Sequence, residues 1–457
     1  MRAIPFSGKQ LQSELRLLFK LALPIFFAQL ALTALGFVDT IMSGWVGTDD
    51  LAAIGLGSNI MLPVFIFSTG VLLALTPLIS KQEGAGNADA IRIYLQQGLW
   101  LALPLGAVSV AVMLNLDGLL RWLDISPKVF QLTSDYLFYI AWGLPGVALY
   151  QALRFFWEGL GTTQATMWIS FLALLFNIPL NALFIYGYGP IPALGAAGCG
   201  VASAIVMWLM FAAGLLYVFR SSLTRPFMHG WQIIRPRWQA GMGDILNLGI
   251  PNSLALLFEV SLFSFIALFI AKLGVEVIAG HQVAISFTSM VFMLPLSVAM
   301  AITVRVGKHY GAHNRSAILL SLYAGLGMAL VIGSSLSLLT YIFRHEIVGI
   351  YSNDAAVLAV AVTLLVYAAA YQVFDAIQAA CAGALRGLHD TRVTMLVTFL
   401  SYWVIGLAGG YVLAYTDWVS SAPLGVNGFW LGIVIGLSLA AVLLAWRLKR
   451  QFDVHFG

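Results

Sequence analysis

Charge is what this chain has least of. Of its 457 residues only 9% are Asp, Glu, Lys or Arg, while 61% are hydrophobic. A soluble domain carries about 25% charged residues, so a soluble globular protein is excluded and an integral membrane protein is expected. Cysteine is nearly absent. Cys199 and Cys381 lie in or beside apolar segments, which predicts neither a disulfide framework nor a metal site built on them. There is no G-x-x-x-x-G-K-[ST], which excludes nucleotide hydrolysis by a P-loop, and no H-E-x-x-H or His/Cys ligand cluster. No nucleophile–base constellation and no soluble domain of catalytic size occur, so neither an enzyme nor a cofactor is expected. Apolar and polar residues do not alternate with period two, which argues against an outer-membrane barrel. The N-terminal MRAIPFSGKQLQSELRLLFK is polar and mixed, with no small-residue cleavage signal, so no removable signal peptide is expected.

What the chain has is long uncharged runs. A spanning helix needs about 20 apolar residues. Residues 51–80, 92–115, 277–304, 317–342, 393–416 and 427–446 each hold one span. The uncharged run 159–219 holds two, parted by the turn-rich GYGPIPALGAAG at 187–198. With 21–40, 133–153, 245–271 and 357–385 the count reaches twelve. If both termini are cytoplasmic, 19 of the 23 Lys and Arg fall inside, leaving Arg121, Lys128, Lys272 and Arg344 outside. That is the positive-inside pattern. It also explains the basic loop holding Arg220, Arg225, Arg235 and Arg237 as a solvated inner connection, with no nucleic-acid partner.

The two halves repeat. An offset of 227 carries Pro24 to Pro251, Gly47 to Gly274 and Thr76 to Thr303. It also carries Lys81, Gly84, Ala85 and Asn87 to Lys308, Gly311, Ala312 and Asn314, so K-x-x-G-A-x-N recurs. An offset of 228 aligns EGLGTT (158–163) with RGLHDT (386–391), and 230 aligns LGAAG (194–198) with LGVNG (424–428). Six spans per half is an even number, so both halves run the same way through the bilayer. The expected division is a six-helix lobe at 1–219, a cytoplasmic linker at 220–242 and a second lobe at 243–457. Parallel repeats of this size suit alternating access by rocking.

Three carboxylates break the symmetry. Asp39, Glu259 and Asp375 lie inside apolar runs, and their repeat partners would be Ile266, Leu32 and Val147. A charge at the bilayer centre costs roughly 2.5–3.5 kcal/mol on insertion scales and usually faces protein or a water-filled cavity. In the first half, Asn177 and Asn181 are four apart on one helix face, with Pro179 between them freeing a carbonyl. With Asp39 and Ser203 they could form an all-oxygen site for a sodium ion, or for a proton on Asp39 alone. Interhelical hydrogen bonding is the plainer role for the two asparagines. In the second half, Tyr371 and Asp375 are four apart with Gln378 a turn on, and Glu259 is mid-span. Two acids beside a ring suit one monovalent cation, with a cation–π contribution. If they share a site, they titrate as a unit. No Lys or Arg is expected inside a span to pair with them. His281, Gln282, Asn353 and Asp354 start or precede spans, where solvated loop or helix-cap roles are the default.

Taken together, GFVDTIMSGWVGTDDLAAIGLG (36–57), LTPLISKQEGAG (75–86), NIPLNALFIYG (177–187), GIPNSLALLFEVSLF (249–263), AGHQVA (279–284), YQVFDAIQ (371–378) and GALRGLHDTR (383–392) resemble the MATE family of multidrug and toxic compound extrusion antiporters, in its bacterial NorM-type branch. The resemblance covers essentially the whole chain. It implies an all-α protein of twelve transmembrane helices in two six-helix lobes arranged as a V. It also implies a monomer in the bacterial inner membrane that expels drugs in exchange for sodium or protons. Asp39, Glu259, Tyr371 and Asp375 resemble functional positions of the family, and Asn177 and Asn181 resemble cation-site partners. Ser203 stands where relatives often have Thr. Glu259, Asp375 and Tyr371 are the implied sodium ligands. Asp39, Gln282, Asp354 and Asp375 resemble positions that contact cationic drugs. Asn353 stands where some relatives have a second acid. A flippase for a lipid-linked precursor is the rival transporter, and it would favour basic residues in its cavity. A channel or receptor is the third class.

Overall fold

The computed structural model describes residues 6–122, 125–228, 235–419 and 421–456. Among them the only β feature is one isolated bridge, Tyr188 to Ile191. The crossings are α1 (Gly8–Gly44), α2 (Thr48–Gly84), α3 (Ala88–Trp122), α5 (Gln164–Tyr186), α6 (Ala196–Arg220), α7 (Met242–Leu273), α8 (Val275–Gly311), α9 (Arg315–Ile342), α10 (Ala355–Gly387), α11 (Thr391–Tyr415) and α12 (Val426–Val454). Each of these eleven is long and apolar enough to span a membrane. The fourth crossing, α4, comes in two shorter pieces, Pro127–Ala141 and Leu144–Gly159. Trp142 and Gly143 join them with dihedrals of −69°, −14° and −79°, −25°, close to helical, so the path continues through the break.

The repeated motifs turn out to be helix ends. Asn87 and Asn314 occupy equivalent N-caps, and each Oδ1 accepts a 3.1 Å hydrogen bond from the backbone N–H three residues on. The residue before each closes the preceding helix in the left-handed region: Gly86 at φ 70° and His313 at φ 52°. In the other shared motif Gly161 (φ 84°) is replaced by His389 (φ 65°).

Contacts divide the chain into two compact units, Phe27–Ser253, and Met1–Phe26 with Leu254–Gly457. The cuts fall inside α1 and α7, just past Pro24 and Pro251. Residues 229–234 of the 220–242 segment lie outside the described residues.

In the first unit the beginning of α7 is fastened to α2 and α3. The Tyr94 hydroxyl donates to Asp244 (2.8 Å), Asn252 Nδ2 to the Gly70 carbonyl (2.8 Å) and Ser253 Oγ to the Phe67 carbonyl (2.8 Å). Gln97 bonds the Arg235 carbonyl and the Arg237 N–H. In the second unit the beginning of α1 is held by Glu14, which takes both prongs of the Arg305 guanidinium (2.8 and 2.6 Å) and the Ser321 hydroxyl (2.6 Å).

Basic residues do stand inside the helices, each just past the end of a span read from the sequence. The helices outrun the apolar runs. Arg154 sits within α4 on Glu158 (2.8 Å), Arg305 within α8 and Arg386 at the end of α10. Arg154 and Glu158 are 4% and 1% exposed, a buried pair that Thr166 and Trp157 extend.

α11 and α12 pack through backbone. Residues Phe399–Gly409 of α11 are wound as a π-helix. α12 presents Gly428, Gly432 and Gly436, spaced by four so that they share a face. A Cβ on Gly432 would lie 2.4 Å from the Gly406 carbonyl oxygen, and one on Gly436 2.5 Å from that of Ser401. Small residues at such spacing let membrane helices approach this closely.

Candidate functional site

In the first unit the structure gathers Asp39, Asn177, Asn181 and Ser203. Asn177 and Asn181 face the same way because they are one helical turn apart on α5, and both are fully buried. Asn177 Nδ2 donates to Asp39 Oδ1 at 3.1 Å and Asn181 Nδ2 to the same oxygen at 2.6 Å. Ser203 Oγ, from α6, donates to Asp39 Oδ2 at 3.1 Å. Asn181 Nδ2 also reaches Asn177 Oδ1 at 3.0 Å, while Asn181 Oδ1 has no partner. Tyr186, whose hydroxyl donates to the Met42 carbonyl (2.7 Å), ties α5 to α1 beyond the site. The Cys199 thiol of α6 is a fourth hydrogen-bond donor to Asp39, so the carboxylate is saturated. Hydrogen bonds to a charged group contribute about 1.5–3 kcal/mol each, less for the weak thiol donor. A cation coming to Asp39 meets N–H and O–H groups until the two amides turn.

The second unit is built differently. Glu259 of α7, Thr288 and Ser289 of α8, Tyr371 and Asp375 of α10 and Tyr402 of α11 line one cavity of about 50 Å³, with Leu262, Phe263, Phe292 and Leu437 as its apolar wall. Among the described residues neither acid makes an ion pair or a side-chain hydrogen bond. The two lie within electrostatic reach of each other. Arg386 is the cation that Glu259 feels, without forming an ion pair with it. A drug-sized ligand wants roughly 300–1,000 Å³, whereas a water needs about 10–15 Å³ by this measure. The cavity is of the size for a few waters or one stripped ion. Its polar lining is all oxygen, the ligand set of hard cations.

The remaining predicted positions do not line the cavity. Asp354 is the N-cap of α10, where Oδ1 accepts from Ala356 N (2.8 Å) and Val357 N (3.2 Å). Gln282 is exposed and bonds Ser286. Asn353 is exposed beside Asp354. His281 departs from its expected solvated role: it is 2% exposed and accepts the Trp430 indole N–H at Nδ1 (3.1 Å). Gln378 is buried with Oε1 unpartnered. Thr288, Ser289 and Tyr402 did not stand out from the sequence. The available signal was that each is a hydroxyl inside an otherwise apolar run.

Both halves carry the same family signature. The MatE family model matches residues 24–183 and again 251–412, displaced by the interval that separates Pro24 from Pro251. The chain belongs to the MATE family. Among curated relatives of this MATE protein, the multidrug resistance protein NorM of Aliivibrio fischeri is 40% identical over 96% of this chain and 95% of its own. The multidrug resistance protein MdtK of Photorhabdus laumondii is 41% identical over 96% and 97%. The fold matches the eukaryotic MATE transporter AtDTX14 with a TM-score of 0.86 at 20% identity, covering 98% and 99% of the two chains. It matches the bent form of the Vibrio cholerae MATE transporter VcmN at 0.83, with 19% identity and the same coverage. The expected all-α, twelve-crossing class therefore holds, and the protein is a transporter-family member rather than an enzyme.

Proposed function

We propose that this MATE chain is a cation-coupled antiporter that exports amphipathic, often cationic, organic compounds. It works as a monomer in the bacterial inner membrane, with both termini cytoplasmic, as the lysine and arginine distribution supports. Six-helix lobes at 1–219 and 243–457, joined by 220–242, are its moving parts. The names of its relatives support a drug cargo.

One observation carries the coupling: two carboxylates, Glu259 and Asp375, share with Tyr371 a cavity whose polar lining is all oxygen, and among the described residues neither makes an ion pair or a side-chain hydrogen bond. Unpaired charge inside a membrane protein is costly unless an ion completes it. Sodium is the ion this lining favours, with the Tyr371 ring beside it. Asp39 with Asn177, Asn181 and Ser203 forms the second, donor-saturated site, opened when the amides turn. Asp39 and Asp375, with the exposed Gln282 and Asp354, meet the cationic cargo. The cavity lining contains no Lys or Arg, which disfavours a phosphate-bearing lipid as cargo.

The test is ethidium efflux from proteoliposomes under an imposed sodium gradient, then under a pH gradient alone. Sodium alone should drive the wild type. Asp39→Asn and Asp375→Asn should each lose export while remaining folded. Full transport by both variants would overturn the reading, and drive by the pH gradient alone would make the ion a proton.

A further inference from the structure

Tyr402 is 1% exposed and is one of the residues that line the Glu259–Asp375 cavity. The hydroxyl is buried and, among the described residues, has no hydrogen-bond partner. A buried phenol normally finds one, so an unmet hydroxyl in a polar cavity marks a missing ligand. It lies within electrostatic reach of both carboxylates. Its neighbours on the wall are differently placed. Thr288 Oγ1 donates to the Ala284 and Ile285 carbonyls and is hydrogen-bonded by the Tyr371 hydroxyl, so both of those groups are partnered.

The backbone around Tyr402 is also unusual. It sits in the π-helical stretch Phe399–Gly409, and π-wound turns, normally single, concentrate at functional sites. Next to it Trp403 donates its indole N–H to Ser261 of α7 (3.1 Å), two residues from Glu259. The Ser401 carbonyl is pinned against Gly436 of α12. The winding is thus anchored on both sides of Tyr402.

We propose that the Tyr402 hydroxyl is an oxygen ligand of the cation taken up by the Glu259–Asp375 cavity, and that the π-winding of α11 serves to place it there. This rests on the cavity being the coupling-ion site. With the two acids, Tyr371 and Thr288, it completes an oxygen shell around one monovalent cation. As a neutral ligand it adds coordination without adding charge, so it tunes affinity and selectivity for sodium.

The experiment is direct sodium binding to the purified full-length protein in detergent, by radiolabelled sodium or calorimetry, without drug. Tyr402→Phe keeps the ring and its packing and removes only the oxygen. It should weaken sodium binding about tenfold or more, as expected for the loss of one polar contact to a charge. Tyr402→Gln, which returns an oxygen, should recover part of that loss, and it serves as the second variant should the first fold poorly. Asp375→Asn should abolish binding. If Tyr402→Phe binds sodium like the wild type while Asp375→Asn does not bind, the Tyr402 assignment is overturned and the cavity stands. If Asp375→Asn binds normally, the cavity reading itself fails.

Discussion

At the scale of single residues, the two acid sites differ in what surrounds the carboxylate. Among the described residues Asp39 is met by four donors, Asn177, Asn181, Ser203 and Cys199, and the cavity acids by none. The acids themselves were legible because a charge in an apolar run has few benign explanations. Their surroundings were only half legible. The four-residue spacing placed Asn177 with Asn181 and Tyr371 with Asp375. No spacing rule could bring Thr288 and Tyr402, from two other helices, onto one cavity wall. His281 misled for a related reason: near a helix start it reads as solvated, yet Trp430, far along the chain, buries it. The repeat also exposes a local imperfection. His313 holds the left-handed position that glycine holds in the first half, and it is exposed. A side chain in that region costs roughly 1–2 kcal/mol, somewhat less for His. His313→Gly should therefore raise stability by up to about 1 kcal/mol with transport unchanged, seen as a higher Tm in detergent. A lower Tm would mean that the imidazole makes a compensating contact.

At the scale of elements, the spans were legible and their ends were not. Hydropathy marks where lipid stops. The helices continue beyond it, which is how Arg154 and Arg305 come to lie inside them with buried acid partners. Breaking such a pair by removing one member costs about 3–5 kcal/mol where burial is complete, so they fix helix positions strongly. The break in α4 coincides with Gly143 and Pro145, a signal that also fits an unbroken span, and the winding of α11 had no recognisable signature. The contact between α11 and α12 is the element on which the cavity depends, since it fixes the stretch that carries Tyr402. Gly432→Ala puts a methyl 2.4 Å from the Gly406 oxygen. It should cost about 1–3 kcal/mol of stability, the usual range for overpacking, and should also weaken sodium binding. Gly55→Ala, where nothing lies within 4 Å, is the matched control and should change neither. Equal effects from the two substitutions would show that the seam is not what holds α11.

At the scale of the whole molecule, a symmetric scaffold carries asymmetric chemistry. The repeat specifies helix caps, turns and prolines in duplicate, and these were readable as aligned motifs. The polar sites are singular, so nothing in one half announced the composition of the other half's site. The division into contact units was also hidden, because it falls within two continuous helices and no loop marks it. That division has a practical consequence for anyone building hybrids. A chimera of this chain with a homologous one, joined between Met228 and Arg235, mixes parentage inside both contact units. Glu14 would then face a foreign Arg305, and Tyr94 a foreign Asp244. Junctions at Phe26/Phe27 and Ser253/Leu254 keep each unit of single descent. The second hybrid should melt higher and retain more export than the first, although it carries one junction more. The natural seams for recombination in this protein therefore lie within the membrane, beside two prolines, and not in the loop that joins its halves.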